Sequence, residues 1–177
     1  MLAEYLPHYS VDDYLHWEGD WELIDGIAYA MSPKPVKKHQ LTGFKVMMEF
    51  TKNLKNCQKC KVFQEVDWRV SSDTVLSPDV LLVCNESIEG QFVENTPEII
   101  FEILSPSTEK NDRFVKYEIY REAGVKYYIL VDIKKESVEV FELQNKKYSK
   151  VLESRDEVFE FSFQECQIDF DFSEIWS

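Results

Sequence analysis

Two short apolar runs, each opened by a proline and each carrying a carboxylate, constrain this chain more than any other feature. The first is Ser77-Pro78-Asp79-Val80-Leu81-Leu82-Val83, and the second is Pro97-Glu98-Ile99-Ile100-Phe101-Glu102-Ile103-Leu104. Their length, their β-branched content and the bounding prolines predict short buried strands. Asp79 stands at the mouth of the first strand, and Glu102 stands inside the second between Phe101 and Ile103. A buried charge without a partner is costly, so something must compensate it. A divalent cation shared by Asp79 and Glu102 would do so. A structural ion pair would serve equally, and an edge strand would let Glu102 face water.

The 177 residues suit one domain with a single adequate core. At 44% hydrophobic and 14% aromatic the chain is globular rather than disordered. No apolar run approaches the roughly 18–20 residues that span a membrane. Met1-Leu2-Ala3-Glu4-Tyr5 lacks a basic stretch followed by an apolar one, so no secretory signal is expected. With four cysteines and no export signal, the expected setting is the reducing cytoplasm.

The net charge of −13 argues against a phosphate-rich partner, but its distribution is uneven. Residues 34–61 hold eight lysines (34, 37, 38, 45, 52, 55, 59 and 61) against one acid, Glu49. Such a segment on an acidic body is compatible with a local phosphate-binding face or with a solvated helix surface.

Ser10-Val11-Asp12-Asp13 reads as a capped helix start, with the helix stopping near Gly19. Trp21 to Met31 reads as a hairpin turning at Asp25-Gly26, with Glu22 in its first strand. Most glutamates so placed face solvent. Ser32-Pro33 breaks that strand. Residues from about Pro35 to Asn56 form the longest helical pattern, with Leu41, Phe44, Met47 or Met48, and Leu54 at helical spacing and His39 in the first turns. Cys57 and Cys60 make one C-x-x-C, which lacks the second pair a structural zinc site needs and closes a helix rather than opening one. They read as loop cysteines.

Val62 to Val70 alternates as one half-buried strand, whose apolar face is interrupted by Gln64. After the Glu102 strand, Ser107 or Thr108 can cap a helix running to Ala123, stopped by Gly124. Arg113, Lys116, Tyr117 and Tyr120 fall on one side of it. Val125 to Asp132 is a further buried strand, and strand–helix–strand at this spacing predicts a parallel βαβ unit. Short strands follow at Val138–Phe141, Tyr148–Leu152 and Val158–Phe163, with a last short element near Phe172–Trp176. The fold class expected is α/β, a mixed central sheet flanked by helices.

The ordered set Ser77-Pro78-Asp79, Glu102-Ile103-Leu104-Ser105-Pro106-Ser107-Thr108, Asp112, Lys116, Tyr117, Tyr120, Gly124-Val125 and Tyr127 to Asp132 resembles the Uma-two family of restriction-endonuclease-like proteins, within the PD-(D/E)XK nuclease superfamily. Glu22 to Gly26 and His39-Gln40 fit that pattern too. The resemblance covers roughly residues 10–135. It implies a restriction-endonuclease-like fold and a divalent metal, Mg²⁺ or Mn²⁺, held by Asp79, Glu102 and the backbone carbonyl of Ile103. The superfamily's lysine two residues after the glutamate is Leu104 here, and the resemblance implies that Lys116 on the following helix takes its place.

Phosphodiester hydrolysis needs a nucleophilic water, neutralisation of the phosphorane's charge and a stabilised leaving group. Asp79, Glu102 and Lys116 supply the minimum set, which Glu22, His39 and Gln64 could extend. The expectation is a metal-dependent endonuclease acting on DNA, and cutting both strands points to a homodimer. The alternative is a catalytically inactive nucleic-acid-binding or assembly module on the same fold, with Glu102 only an ion-pair partner. For Lys116 by itself, the alternative is a surface lysine paired with Asp112 at i,i+4.

Overall fold

The computed structural model describes residues 6–31 and 36–177. The stretch Met1–Tyr5, the break at Ser32-Pro33, the helix start near Pro35 and Lys34 of the basic segment lie outside the described residues. A single turn of helix, α1 (Val11–Tyr14), opens with the expected cap: Ser10 and Asp13 bond each other's backbone amides. The hairpin β1 (Trp21–Ile24) and β2 (Ile27–Ala30) turns at Asp25 and Gly26, both at positive φ. The long helix α2 (Lys37–Asn53) ends in a 3₁₀ turn, Leu54–Asn56, and leads into β3 (Cys60–Gln64).

The expected single strand from Val62 to Val70 is interrupted. Glu65 adopts a left-handed φ of 51° and gives its amide to the Asp79 carbonyl at 3.1 Å. The chain therefore leaves β3 at Gln64 and restarts as β4 (Trp68–Arg69), which pairs with β5 (Val75–Leu76) in a different sheet. The break also changes the alternation, so Phe63, Val66, Trp68 and Val70 all pack in one cluster. Strand β1 joins β5 through Leu23 opposite Val75, completing a four-stranded sheet in the order β2-β1-β5-β4.

The central sheet is built from β6 (Val80–Cys84), β7 (Ile99–Ile103) and β8 (Tyr127–Asp132), all but Asp132 buried along their length. Between β7 and β8 runs a π-helical turn, Asn111–Lys116, continuous with α3 (Tyr117–Ala123). Gly124 ends α3 in the left-handed conformation, where a Cβ is unfavourable. Strands β7 and β8 are parallel, as the βαβ reading expects, and β6 and β3 follow antiparallel on the other side. Beyond β8 the sheet continues through a long hairpin, β9 (Ser137–Gln144) and β10 (Lys147–Ser154), giving the mixed order β10-β9-β8-β7-β6-β3.

A separate hairpin, β11 (Val158–Phe163) and β12 (Cys166–Asp171), is followed by a 3₁₀ turn, Phe172–Ile175. Together with α2 it covers one face of the central sheet. Phe50, Phe101, Phe161, Phe170 and Phe172 interlock there. Helix α3 covers the other face, with Tyr120 and Tyr128 against Leu81, Ile100 and Leu130. Among the described residues no helix is long and apolar enough to cross a membrane.

Two expectations are corrected here. The buried face of α2 is His39, Thr42, Gly43, Val46, Glu49 and Phe50, not the stripe read from the sequence. Leu41, Phe44 and Met48 are exposed, while Met47 and Leu54 do pack on the core. The helix turns its smallest residue inward because it lies close to the sheet: a Cβ on Gly43 would come within 2.9 Å of Gln64 Nε2. Cys60 is not a loop residue either. It starts β3 directly opposite Cys84 of β6, and the two are bonded, as are Cys57 and Cys166.

Candidate functional site

The register of β6 on β7 places the two carboxylates. Val80 pairs with Phe101 and Leu81 with Ile100. One step further along the same register sets Asp79 opposite Glu102. Alternation then sends Glu102 to the α3 side of the sheet, away from Phe101 and Ile103, which belong to the other core. Asp79 Oδ2 accepts from the Ile103 amide at 2.6 Å, which ties the mouth of β6 to the end of β7.

Lys116 is not a surface residue. The π-helical turn carries it back over the end of β7, where its Nζ lies 3.0 Å from Glu102 Oε1, 2.9 Å from Glu22 Oε1 and 3.6 Å from Asp112 Oδ1. All four side chains are less than 9% exposed. Tyr120, one turn on, donates to the same Glu102 oxygen at 2.6 Å. Glu22 is positioned by the β1–β5 pairing and also accepts from the Ser77 amide at 3.1 Å. It does not face solvent.

His39 reaches the site from the first turn of α2, with Nε2 3.3 Å from Asp79 Oδ2. Burial works against a charged ring, but the bond to Asp79 and its charge outweigh it, so the His39 pKa is held above its ordinary value. Burial pushes the Glu102 carboxyl well up, against the pull of Lys116. Burial also raises Asp112 to about 6, again against Lys116. Burial opposes the charge on Lys116, yet Glu102, Glu22 and Asp112 together keep it protonated and raise its pKa well above the usual lysine range.

These groups line one cavity of about 490 Å³, whose wall includes Glu22, His39, Ser77, Asp79, Glu102, Asp112 and Lys116. Of the residues singled out from the sequence, Ile103 and Gln64 are not part of this wall: Ile103 gives its amide to Asp79, and Gln64 stands apart. It pairs with Val80 at the end of β3, and its amide rests near Gly43. Sequence reasoning missed Asp112 and Tyr120 as members of the site. Their signal was present: both lie four residues from Lys116, on its face of the helix.

A hard cation fits this donor set in kind. Four carboxylates (Glu22, Asp79, Glu102 and Asp112) share the cavity wall with two lysines, Lys110 and Lys116, and Asp112 Oδ1 is buried without a hydrogen-bond partner. Among the described residues no three Asp, Glu, His or Cys side chains by themselves form a metal-holding group. Two carboxylates with a backbone carbonyl and waters would be the minimum, and such a set suits Mg²⁺. The basic segment is largely turned to internal use. Lys38 bonds the Ile133 carbonyl, and Lys52 pairs with Glu49 and Glu174.

The fold is shared with a crystallised protein from Anabaena variabilis ATCC 29413, described as a “putative nuclease belonging to DUF820”. The TM-score is 0.73 at 15% identity, covering 94% of this chain and 97% of that one. A further relative is the “Uncharacterized protein slr1290” of Synechocystis sp. (strain ATCC 27184 / PCC 6803 / Kazusa). It is 30% identical over an alignment of 122 positions that covers 64% of this chain and 63% of that protein's length. The sequence profile of the Uma2 family, described as “Putative restriction endonuclease”, matches residues 11–169. This chain belongs to the Uma2 family.

Proposed function

We propose that this chain is a metal-dependent endonuclease that hydrolyses DNA phosphodiester bonds. The observation that carries this reading is the meeting of Asp79 and Glu102 on neighbouring strand ends, in one cavity with the buried Lys116 ammonium. Asp79, Glu102 and the Ile103 carbonyl would hold Mg²⁺ or Mn²⁺. When bound, the ion would lower the pKa of a water and neutralise phosphate charge. Lys116, kept charged by its three carboxylates, would orient the attacking water and offset charge developing on the phosphate. Glu22 and Asp112 hold that ammonium in position. His39 fixes the orientation of Asp79.

The test is nicking of supercoiled plasmid in Mg²⁺ and Mn²⁺. Asp79→Asn and Glu102→Gln should each lower cleavage by on the order of 10²-fold or more. Cleavage that survives both substitutions would refute the assignment. A second reading, a non-catalytic nucleic-acid-binding or assembly module, is favoured by one observation: Lys116 and Tyr120 both engage Glu102 Oε1, as a purely structural ion pair would. That reading requires that neither ion shift the melting temperature.

A further inference from the structure

We propose that a second cavity, on the far side of Asp79, is a subsite for one unpaired nucleobase of the substrate strand. The cavity is about 690 Å³, within the range that encloses a small organic ligand. Met31, Ser77 and Asp79 line both cavities, so what occupies one lies beside what occupies the other.

The two differ in charge. The first includes Lys110 and Lys116 in its wall. Among the described residues, no lysine or arginine lines the second, and Asp20, Glu65 and Asp67 do. A phosphate there would meet carboxylates and no cation. A neutral heteroaromatic ring bearing amino groups suits this lining instead. The carboxylates accept hydrogen bonds from exocyclic amines, as acidic side chains do from cytosine N4.

The walls also offer two aromatic rings, Tyr14 and Trp21. Both are held in place before any ligand arrives. The Tyr14 hydroxyl sits 2.8 Å from Asp67 Oδ2 and 2.9 Å from the Trp21 carbonyl oxygen. Trp21 Nε1 donates to the Glu18 carbonyl at 2.7 Å. Rigid aromatic faces beside fixed acceptors are the recurring means of gripping an unstacked base. Both features need the base unpaired, because pairing occupies its amino edge and stacking covers its face.

The chemistry predicts a preference. Cytosine and adenine present an exocyclic amino donor to the carboxylates, whereas thymine has no amino group and flanks its one N3–H with two carbonyl oxygens that the carboxylates repel. That a strand lies beside this cavity rests on the nuclease reading, so the experiment uses free nucleosides, which need neither metal nor phosphate. Deoxycytidine, deoxyadenosine and thymidine are titrated into the protein, and the tryptophan indole resonances are followed by NMR, with Trp21→Phe assigning the Trp21 signal.

Deoxycytidine and deoxyadenosine should shift the Trp21 resonance with an affinity about tenfold above that of thymidine, the scale of a single base contact. Asp67→Asn should remove the preference, and Asp20→Asn, at an exposed position, should weaken it without risk to the fold. No Trp21 shift with any nucleoside, or equal affinities for all three, overturns the subsite. Selective nucleoside binding without plasmid cleavage overturns the nuclease reading and leaves the subsite standing. Cleavage without nucleoside selectivity does the reverse.

Discussion

Replacing Lys116 with methionine keeps most of the stem's volume and removes the ammonium, so its effect is dominated by charge. Three buried carboxylates, Glu22, Glu102 and Asp112, then lose their cation at 2.9, 3.0 and 3.6 Å. Breaking a buried pair by deleting one partner costs about 3–5 kcal/mol. For a chain of this size that is roughly 10 °C or more in melting temperature. The loss has a pH signature. Glu102 and Asp112 already hold pKa values above their ordinary range, and without Lys116 they rise further. A carboxyl whose folded pKa is raised contributes stability at low pH that is lost as pH rises through that value. We therefore predict a wide gap between wild type and Lys116→Met at pH 8 that closes as pH falls toward about 5. Thermal melts across that range measure it. In a Glu102→Gln background the Lys116→Met penalty should shrink, because the two groups are coupled. A gap that is the same at both pH values would place the loss in packing. A gap under about 1 kcal/mol at pH 8 would restore the surface-lysine reading.

Asp112→Asn should stabilise the protein at pH 8, because it removes a carboxylate whose pKa is raised from 3.8 to about 6. The gain, at most about 3 kcal/mol, should fade as pH drops through 6 and vanish below about 4; chemical denaturation at those pH values decides it. Asp79→Asn should abolish any Mg²⁺- or Mn²⁺-induced rise in melting temperature, and a full rise in that variant would put the ion elsewhere. Cys57→Ser with Cys60→Ser removes both cystine links, so the variant should melt below wild type in oxidising buffer and together with it under reductant. Coincident melts in both buffers would show that the links do not form in solution.

The sheet was legible because its strands are written as unbroken apolar runs between prolines and glycines. Asp79 and Glu102 stood out for the same reason: a carboxylate is conspicuous in such a run. The assignment of Lys116 to the site comes from resemblance: its spacing puts it on the side of Tyr120, but a lysine on a helix reads as solvated unless its carboxylate partners, Glu22 and Glu102 from distant strands, are known. The inward face of α2 was misread because its core side is polar and small, His39, Thr42 and Gly43, while apolar Leu41 and Phe44 point outward. Strand β12 went unrecognised because Gln167 and Asp169 interrupt its apolar residues, and only Ile168 and Phe170 turn inward. The split of Val62–Val70 depends on one left-handed residue, Glu65, which no alternation pattern encodes.

The hairpin β11–β12 has a bearing on how the chain is made. The strands that carry Asp79 and Glu102 belong to a sheet whose second layer, Phe161, Phe163, Ile168, Phe170 and Phe172, is encoded more than fifty residues after Glu102. During synthesis β6, β7 and β8 emerge with one apolar face covered in part, by α2 alone. That face is completed only when residues 158–175 have left the ribosome and closed over it. Until then the nascent chain exposes Phe101 and Ile129, the kind of surface that chaperones hold and that aggregates when translation stalls.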